Sequence, residues 1–205
     1  MVMLTGGELF TGNVFFMLSG LLNKKVTSAQ VAVNWLVSFI GNFAGALFVA
    51  GLAFAAGTTA VQPWLSTTIN VATFKATLPF GVAFTRGILC NWCAPSCVAW
   101  IARLSELTRK LPCRMVCTAV WIATAAQSPA GKFLGIWLLV SSFVAMGFEH
   151  SIANMFIIPL GMLNGAAVTP SMFLLNNLLP VTLGNVVGGG LLIACAYWYA
   201  YGTRH

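Results

Sequence analysis

Two long stretches of this chain carry no charge. Residues 26–74 contain no Asp, Glu, Lys or Arg, and neither do residues 151–203. Each is longer than the roughly 20 apolar residues that cross the hydrocarbon core of a bilayer as a helix. A soluble domain carries about a quarter of its residues as charged side chains; here 6% are charged and 59% are apolar. Water cannot solvate such a surface, so soluble enzymes and soluble binding modules are excluded. The expected class is all-α: a polytopic bundle of membrane helices.

The 205-residue length suits one transmembrane domain, with four or five spans of about 20 residues plus loops. Hydropathy and breaks place spans at about 10–23, 28–56, 76–92 continuing after an interruption, 131–163 with a break near Glu149, and 172–201. Thr58, Thr59, Pro63, Ser66, Thr67 and Thr68 predict an extramembrane loop after the second of these. Tyr197, Trp198, Tyr199 and Tyr201 fit an interfacial aromatic belt. The net charge is +7, but it is spread over the chain and accompanies no aromatic-plus-basic motif, so no nucleic-acid partner is expected. It reads instead as loop charge that orients spans. Lys24, Lys25, Lys132 and Arg204 fall on one side, which the positive-inside rule makes the inner side, with Lys75 opposite. The N-terminus has no basic n-region, so no secretory signal is expected.

The chain also repeats itself. ELFTGNVFF at 8–16 aligns with EHSIANMFI at 149–157, which pairs Glu8 with Glu149 and Asn13 with Asn154. At nearly the same offset, Asn34, Asn42 and Gly45 pair with Asn177, Asn185 and Gly188. On this span count the paired segments run through the membrane in opposite directions. Inverted repeats of this kind mark transporters and channels, with the site where broken helices meet at mid-membrane. Gly6-Gly7-Glu8 and Gly147-Phe148-Glu149-His150 place glycine and ionisable groups inside apolar runs. Unwound backbone at that depth is tolerated only where protein buries it or a cavity wets it.

GFEHSIANMF at 147–156, GGELFTGN at 6–13, ILCNW at 88–92 and NLLPVTLGNVVGGG at 177–190 resemble the formate/nitrite transporter family over nearly the whole chain except 93–114. The resemblance implies an aquaporin-like inverted repeat, a homopentamer with one pore per protomer, and passage of a small monovalent anion or its acid, such as formate or nitrite. By matching position it implies that His150 is the central pore histidine. Leu9, Phe10 and Thr11 would lie in the loop that breaks the second span. Phe143 would be a constriction phenylalanine, Lys75 the vestibule lysine, and Asn185 the asparagine of a broken last span. Two departures stand out. The match begins midway through the family's second span, so the first span and half of the second are expected to be missing. Residues 93–114, which carry Arg103, Glu106, Arg109, Lys110 and Arg114, separate Trp92 from Met115 where the family's fourth span would run on. An unremoved intron and a missed 5′ exon are the expected cause.

Each candidate has a plainer reading. His150 could be a neutral core imidazole, but ionisable groups at membrane depth are costly and default to function. An isolated anion entering hydrocarbon costs tens of kcal/mol, which a hydrogen-bond donor or a proton source at the centre would lower. Lys75 is either a snorkelling interfacial lysine or a cation that concentrates anions at the mouth. Glu8 and Glu149 could bind protons, though capping of orphan backbone N–H groups is the readier expectation. Leu9, Phe10 and Phe143 would form dry constrictions that gate by dewetting, or simply pack. Thr11 and Asn185, like Asn13 and Asn154, could line the pore or tie up unwound backbone.

Cys93, Cys97, Cys113 and Cys117 mimic zinc spacing, but three of them lie in the suspected insertion, and no metal or other cofactor is expected. A membrane thiol oxidoreductase would need Cys93 and Cys97 as a redox pair. Otherwise no enzyme constellation survives: the chain has two histidines, one of them terminal, and no phosphate loop or dinucleotide fingerprint. The alternative to a channel is a truncated, non-transporting membrane subunit with an interaction role only. The sequence leaves plasma membrane and plastid envelope equally open.

Overall fold

The computed structural model describes residues 7–92 and 129–201. After a short non-helical run at 7–9, α1 spans Phe10–Leu22 and α2 spans Ser28–Ala55. The turn between them exposes Lys24 and Lys25. α2 starts on a complete capping box, in which Thr27 accepts from the Gln30 backbone and Gln30 accepts from the Thr27 backbone. Its 28 residues run about 42 Å, enough to cross a bilayer. Val33, Leu36, Val37, Ile40 and Phe48 all stand exposed on it, a surface suited to lipid rather than water.

α3, Trp64–Ala76, occupies the stretch where a loop was expected. The signal was misleading for a physical reason. Its polar side chains are consumed internally: Thr67, Thr73 and Thr77 hydroxyls donate to the carbonyls of Pro63, Ile69 and Thr73, four residues earlier. The helix thus hides its polarity and packs Ala72 and Ala76 inward with Met155, Ile158, Phe173 and Leu178. α4 follows at Phe80–Trp92. Residues 93–114, and with them Cys93, Cys97 and Cys113, lie outside the described residues, as does Cys117.

α5, Pro129–Ala145, and α6, Ser151–Leu163, flank the break expected near Glu149. The chain leaves α5 through Gly147, whose φ of +67° is left-handed and suits a residue without Cβ. The last helix, α7, runs over residues 172–201 as π-helical Met172–Leu178, α-helical Leu179–Val186, π-helical Val187–Ala194 and α-helical Cys195–Tyr201. The expected broken last span is therefore corrected: the helix widens but stays continuous around Asn185. In a regular α-helix the ring of Pro180 would meet the carbonyl of Asn176; the wider turn before Pro180 accommodates it.

α4 and α7 lie backbone to backbone. A Cβ on Gly184 would collide with the carbonyl oxygen of Phe84, and one on Gly188 with that of Ile88. Small residues permit such approach between membrane helices. It carries Gly87, on α4, to within hydrogen-bonding reach of Asn185 on α7.

Candidate functional site

The two helix breaks meet. His150 is the N-cap of α6, with extended backbone (φ −115°, ψ 119°), and its Nδ1 accepts from Ala153 N at 3.3 Å. Leu9 is the N-cap of α1 in nearly the same conformation (φ −112°, ψ 117°). From the first break, Thr11 places Oγ1 3.0 Å from His150 Nε2. Both residues are buried. Because Nδ1 accepts, a neutral imidazole holds its proton on Nε2 and donates it to Thr11. The Thr11 hydroxyl proton is then left to donate elsewhere.

Each break is closed by an asparagine. Asn185 Oδ1 accepts from Ser151 N at 2.8 Å, while its Nδ2 donates to Glu149 O at 3.0 Å and Gly87 O at 2.9 Å. The side chain thus satisfies backbone groups that the unwound chain cannot pair. Asn91 Nδ2 donates in turn to Asn185 O at 2.9 Å. In the first break Asn42 Oδ1 accepts from Phe10 N and its Nδ2 donates to Glu8 O, both at 2.9 Å. The sequence repeat pairs Asn42 with Asn185, but only Asn185 was singled out for a role. That pairing was the signal for Asn42.

Glu149 does not cap a helix. Its Oε1 accepts from Lys75 Nζ at 2.8 Å, and its Oε2 from Asn154 at 2.6 Å and Asn177 at 3.2 Å. Its side chain is 1% exposed and that of Lys75 14%, so Lys75 points inward and does not snorkel. Asn177 also donates to Lys75 O at 2.9 Å, which pins the end of α3. Glu8, the counterpart of Glu149, accepts from Asn13 just as Glu149 accepts from Asn154. It differs in being exposed, at the edge of a cleft of about 710 Å³ that Asn34 and Asn42 also line.

The aromatic candidates separate. The Phe143 ring stacks on the His150 imidazole, with centroids 5.6 Å apart and planes 21° apart. Phe10 is 4% exposed and packs edge-on against Phe39 and Trp35 of α2. Leu9 is half-buried between Glu8 and Phe10. The structure therefore gathers His150, Thr11, Phe143 and the neighbours of Asn185 at one place, with Lys75 one residue away through Glu149. No group of three His, Cys, Asp or Glu side chains suited to a metal occurs among the described residues.

Comparison with known proteins shows which family the chain resembles. The family model for formate/nitrite transporters matches residues 1–113 and 111–199. A probable formate transporter of Methanothermobacter thermautotrophicus is 40% identical over 98% of this chain and 70% of its own length. The formate channel FocA of Escherichia coli is 34% identical over 96% of this chain and 68% of its own. Among solved structures, an FNT family ion channel superimposes with a TM-score of 0.78 at 32% identity, covering 95% of this chain and 69% of that one. A pentameric formate channel with formate bound gives 0.74 at 29% identity, covering 98% and 77%. These relatives are channels and transporters, not enzymes, and they are membrane proteins. This chain belongs to the formate/nitrite transporter family.

Proposed function

We propose that this chain passes formate, or formic acid, across a membrane along a route that includes His150, and that it does so as a homopentamer. The observation that carries the reading is the Thr11–His150 contact, 3.0 Å long, which joins the two helix breaks at a buried polar point. Breaks in otherwise apolar helices leave backbone and side-chain donors directed at one place, where they can replace the water a small anion sheds. The donor set is short: the imidazole and the Thr11 hydroxyl, the Phe10 and Ser151 amides being already engaged by Asn42 and Asn185. An imidazole can also pass a proton, which allows the anion to cross as its neutral acid. Formate is favoured over nitrite because relatives named as formate channels recur in three bacterial species. The pentamer follows the solved pentameric formate channel. A non-transporting subunit gains no support from these relatives.

The test is formate flux into liposomes that contain the purified chain, measured from pH 5 to pH 8, beside the His150→Phe variant. The reading expects flux above protein-free vesicles and a changed pH profile in the variant. Parent flux equal to empty vesicles defeats transport. An unchanged profile in His150→Phe defeats the histidine's role.

A further inference from the structure

We propose that Asn42 is a positioning residue for His150: by clamping the first helix break it holds Thr11 against the imidazole. For its effect on flux, this rests on the transport reading above. The two breaks are built alike. In the second, Asn185 accepts from Ser151 N and donates to Glu149 O, bracketing His150 between the two bonded residues. In the first, Asn42 accepts from Phe10 N and donates to Glu8 O, bracketing Leu9 in the same way. One carboxamide thus satisfies both an N–H and a C=O across a single extended residue. An aspartate could only accept there, and an apolar side chain could do neither.

The position makes the polarity significant. Asn42 lies on α2 at the cleft it lines with Glu8, Asn34 and Ser38, in a helix whose exposed side chains are otherwise largely apolar. A carboxamide there is costly in hydrocarbon unless its hydrogen bonds are made. It makes both to the break. Phe10 N belongs to the Leu9–Phe10 peptide unit, one residue ahead of Thr11, so holding that N–H holds the backbone from which Thr11 reaches Nε2 at 3.0 Å. Asn185 carries a further bond to Gly87 and so also ties α7 to α4. Among the described residues Asn42 bonds the break alone, so its loss frees the start of α1 from α2 and acts on Thr11 without touching the α4–α7 contact.

The experiment is nuclear magnetic resonance of imidazole-¹⁵N-labelled protein carrying His205→Asn. Since the chain has two histidines, the remaining signal is His150. Thr11→Val calibrates the loss of the Thr11 contact. Asn42→Ala is expected to move the His150 resonance towards the Thr11→Val position, and its formate flux profile with pH to move towards that of Thr11→Val. Asn42→Asp keeps the acceptor for Phe10 N and loses the donor to Glu8 O, so a smaller displacement is expected. If Asn42→Ala does not yield folded protein, Asn42→Asp carries the same test. A His150 signal unchanged in both while Thr11→Val shifts it overturns the proposal. Because the resonance needs no transport, a parent protein that carries no formate removes the transport reading and leaves the Asn42 test standing.

Discussion

The ammonium of Lys75 sits 2.8 Å from Glu149 Oε1, at the end of α3, in the residue next to His150. Both side chains are largely withdrawn from solvent. The charge of the ammonium is met within the protein by the carboxylate.

Breaking such a pair is costly because the remaining charge is stranded. Removing one partner of a buried ion pair costs about 3–5 kcal/mol. Glu149 has the greater burden, being 1% exposed against 14% for Lys75. Lys75→Met is expected to destabilise more than Glu149→Gln, since Lys75 can still reach water. The double variant should recover part of the loss. Glu8→Gln, at the exposed counterpart, should change stability little. Thermal unfolding of detergent-solubilised protein checks the order; equal melting temperatures for Lys75→Met and the parent would show that the pair contributes nothing.

Thr11→Val preserves shape and removes the hydroxyl. The imidazole Nε2–H then loses its partner at a buried position, which costs about 1–3 kcal/mol. Borne by the passage of formate, that cost corresponds to roughly five-fold to a hundred-fold in flux. Thr11→Ser keeps the hydroxyl and is expected to restore most of it. Flux of the two variants side by side separates the hydrogen bond from simple packing, for which valine would serve as well as serine.

Much of this site was legible in the chain before any coordinates. The pairing of Glu8 with Glu149 and of Asn42 with Asn185 appears as a repeat because the same backbone problem is solved twice, with the same residue types. His150 announced itself as an ionisable group in an apolar run. Three things were not legible. α3 read as a loop because threonine hydroxyls look solvated in one dimension, and only helical geometry shows them bonded to carbonyls one turn back. The partnership of Lys75 and Glu149 joins residues distant in sequence, and no local pattern encodes it. The continuity of α7 through Asn185 was hidden because the break there was expected from the family resemblance alone, whereas π-helical turns on either side let the helix pass Pro180 and run on.

Residues 93–114 give a prediction from charge alone. Joining Trp92 directly to Met115 would give a sequence with no charged residue from Gly87 to Trp92 and on to Gly131. Each Arg or Lys placed at the centre of a span costs about 2.5–3.5 kcal/mol on insertion scales, and this segment carries Arg103, Arg109, Lys110 and Arg114. The deletion variant is expected to give more monodisperse oligomer in detergent and higher formate flux per protein than the full chain. Size-exclusion chromatography with both chains expressed identically decides it; aggregation of the deletion variant alone would show that the segment is needed.

The last prediction concerns the helix contact that brings α4 to Asn185. Gly184 and Gly41 are both helical glycines, yet their surroundings are opposite. A Cβ at Gly184 would meet the carbonyl oxygen of Phe84, with Ile88 N 2.9 Å away, whereas at Gly41 nothing lies within 4 Å. Backbone cannot give way as a flexible side chain can, so Gly184→Ala must push α4 from α7, at a cost of about 3 kcal/mol by the usual scale of overpacking. That displacement also lengthens the Asn185–Gly87 bond, now 2.9 Å, and loosens the clamp on the second break. Gly41→Ala should instead stabilise by about 0.5–1 kcal/mol, the helix-propensity difference. Melting temperatures that fall for Gly184→Ala and hold or rise for Gly41→Ala would establish the contact. If Gly184→Ala melts with the parent, the helices are not in backbone contact there, and Asn185 is held by something other than α4.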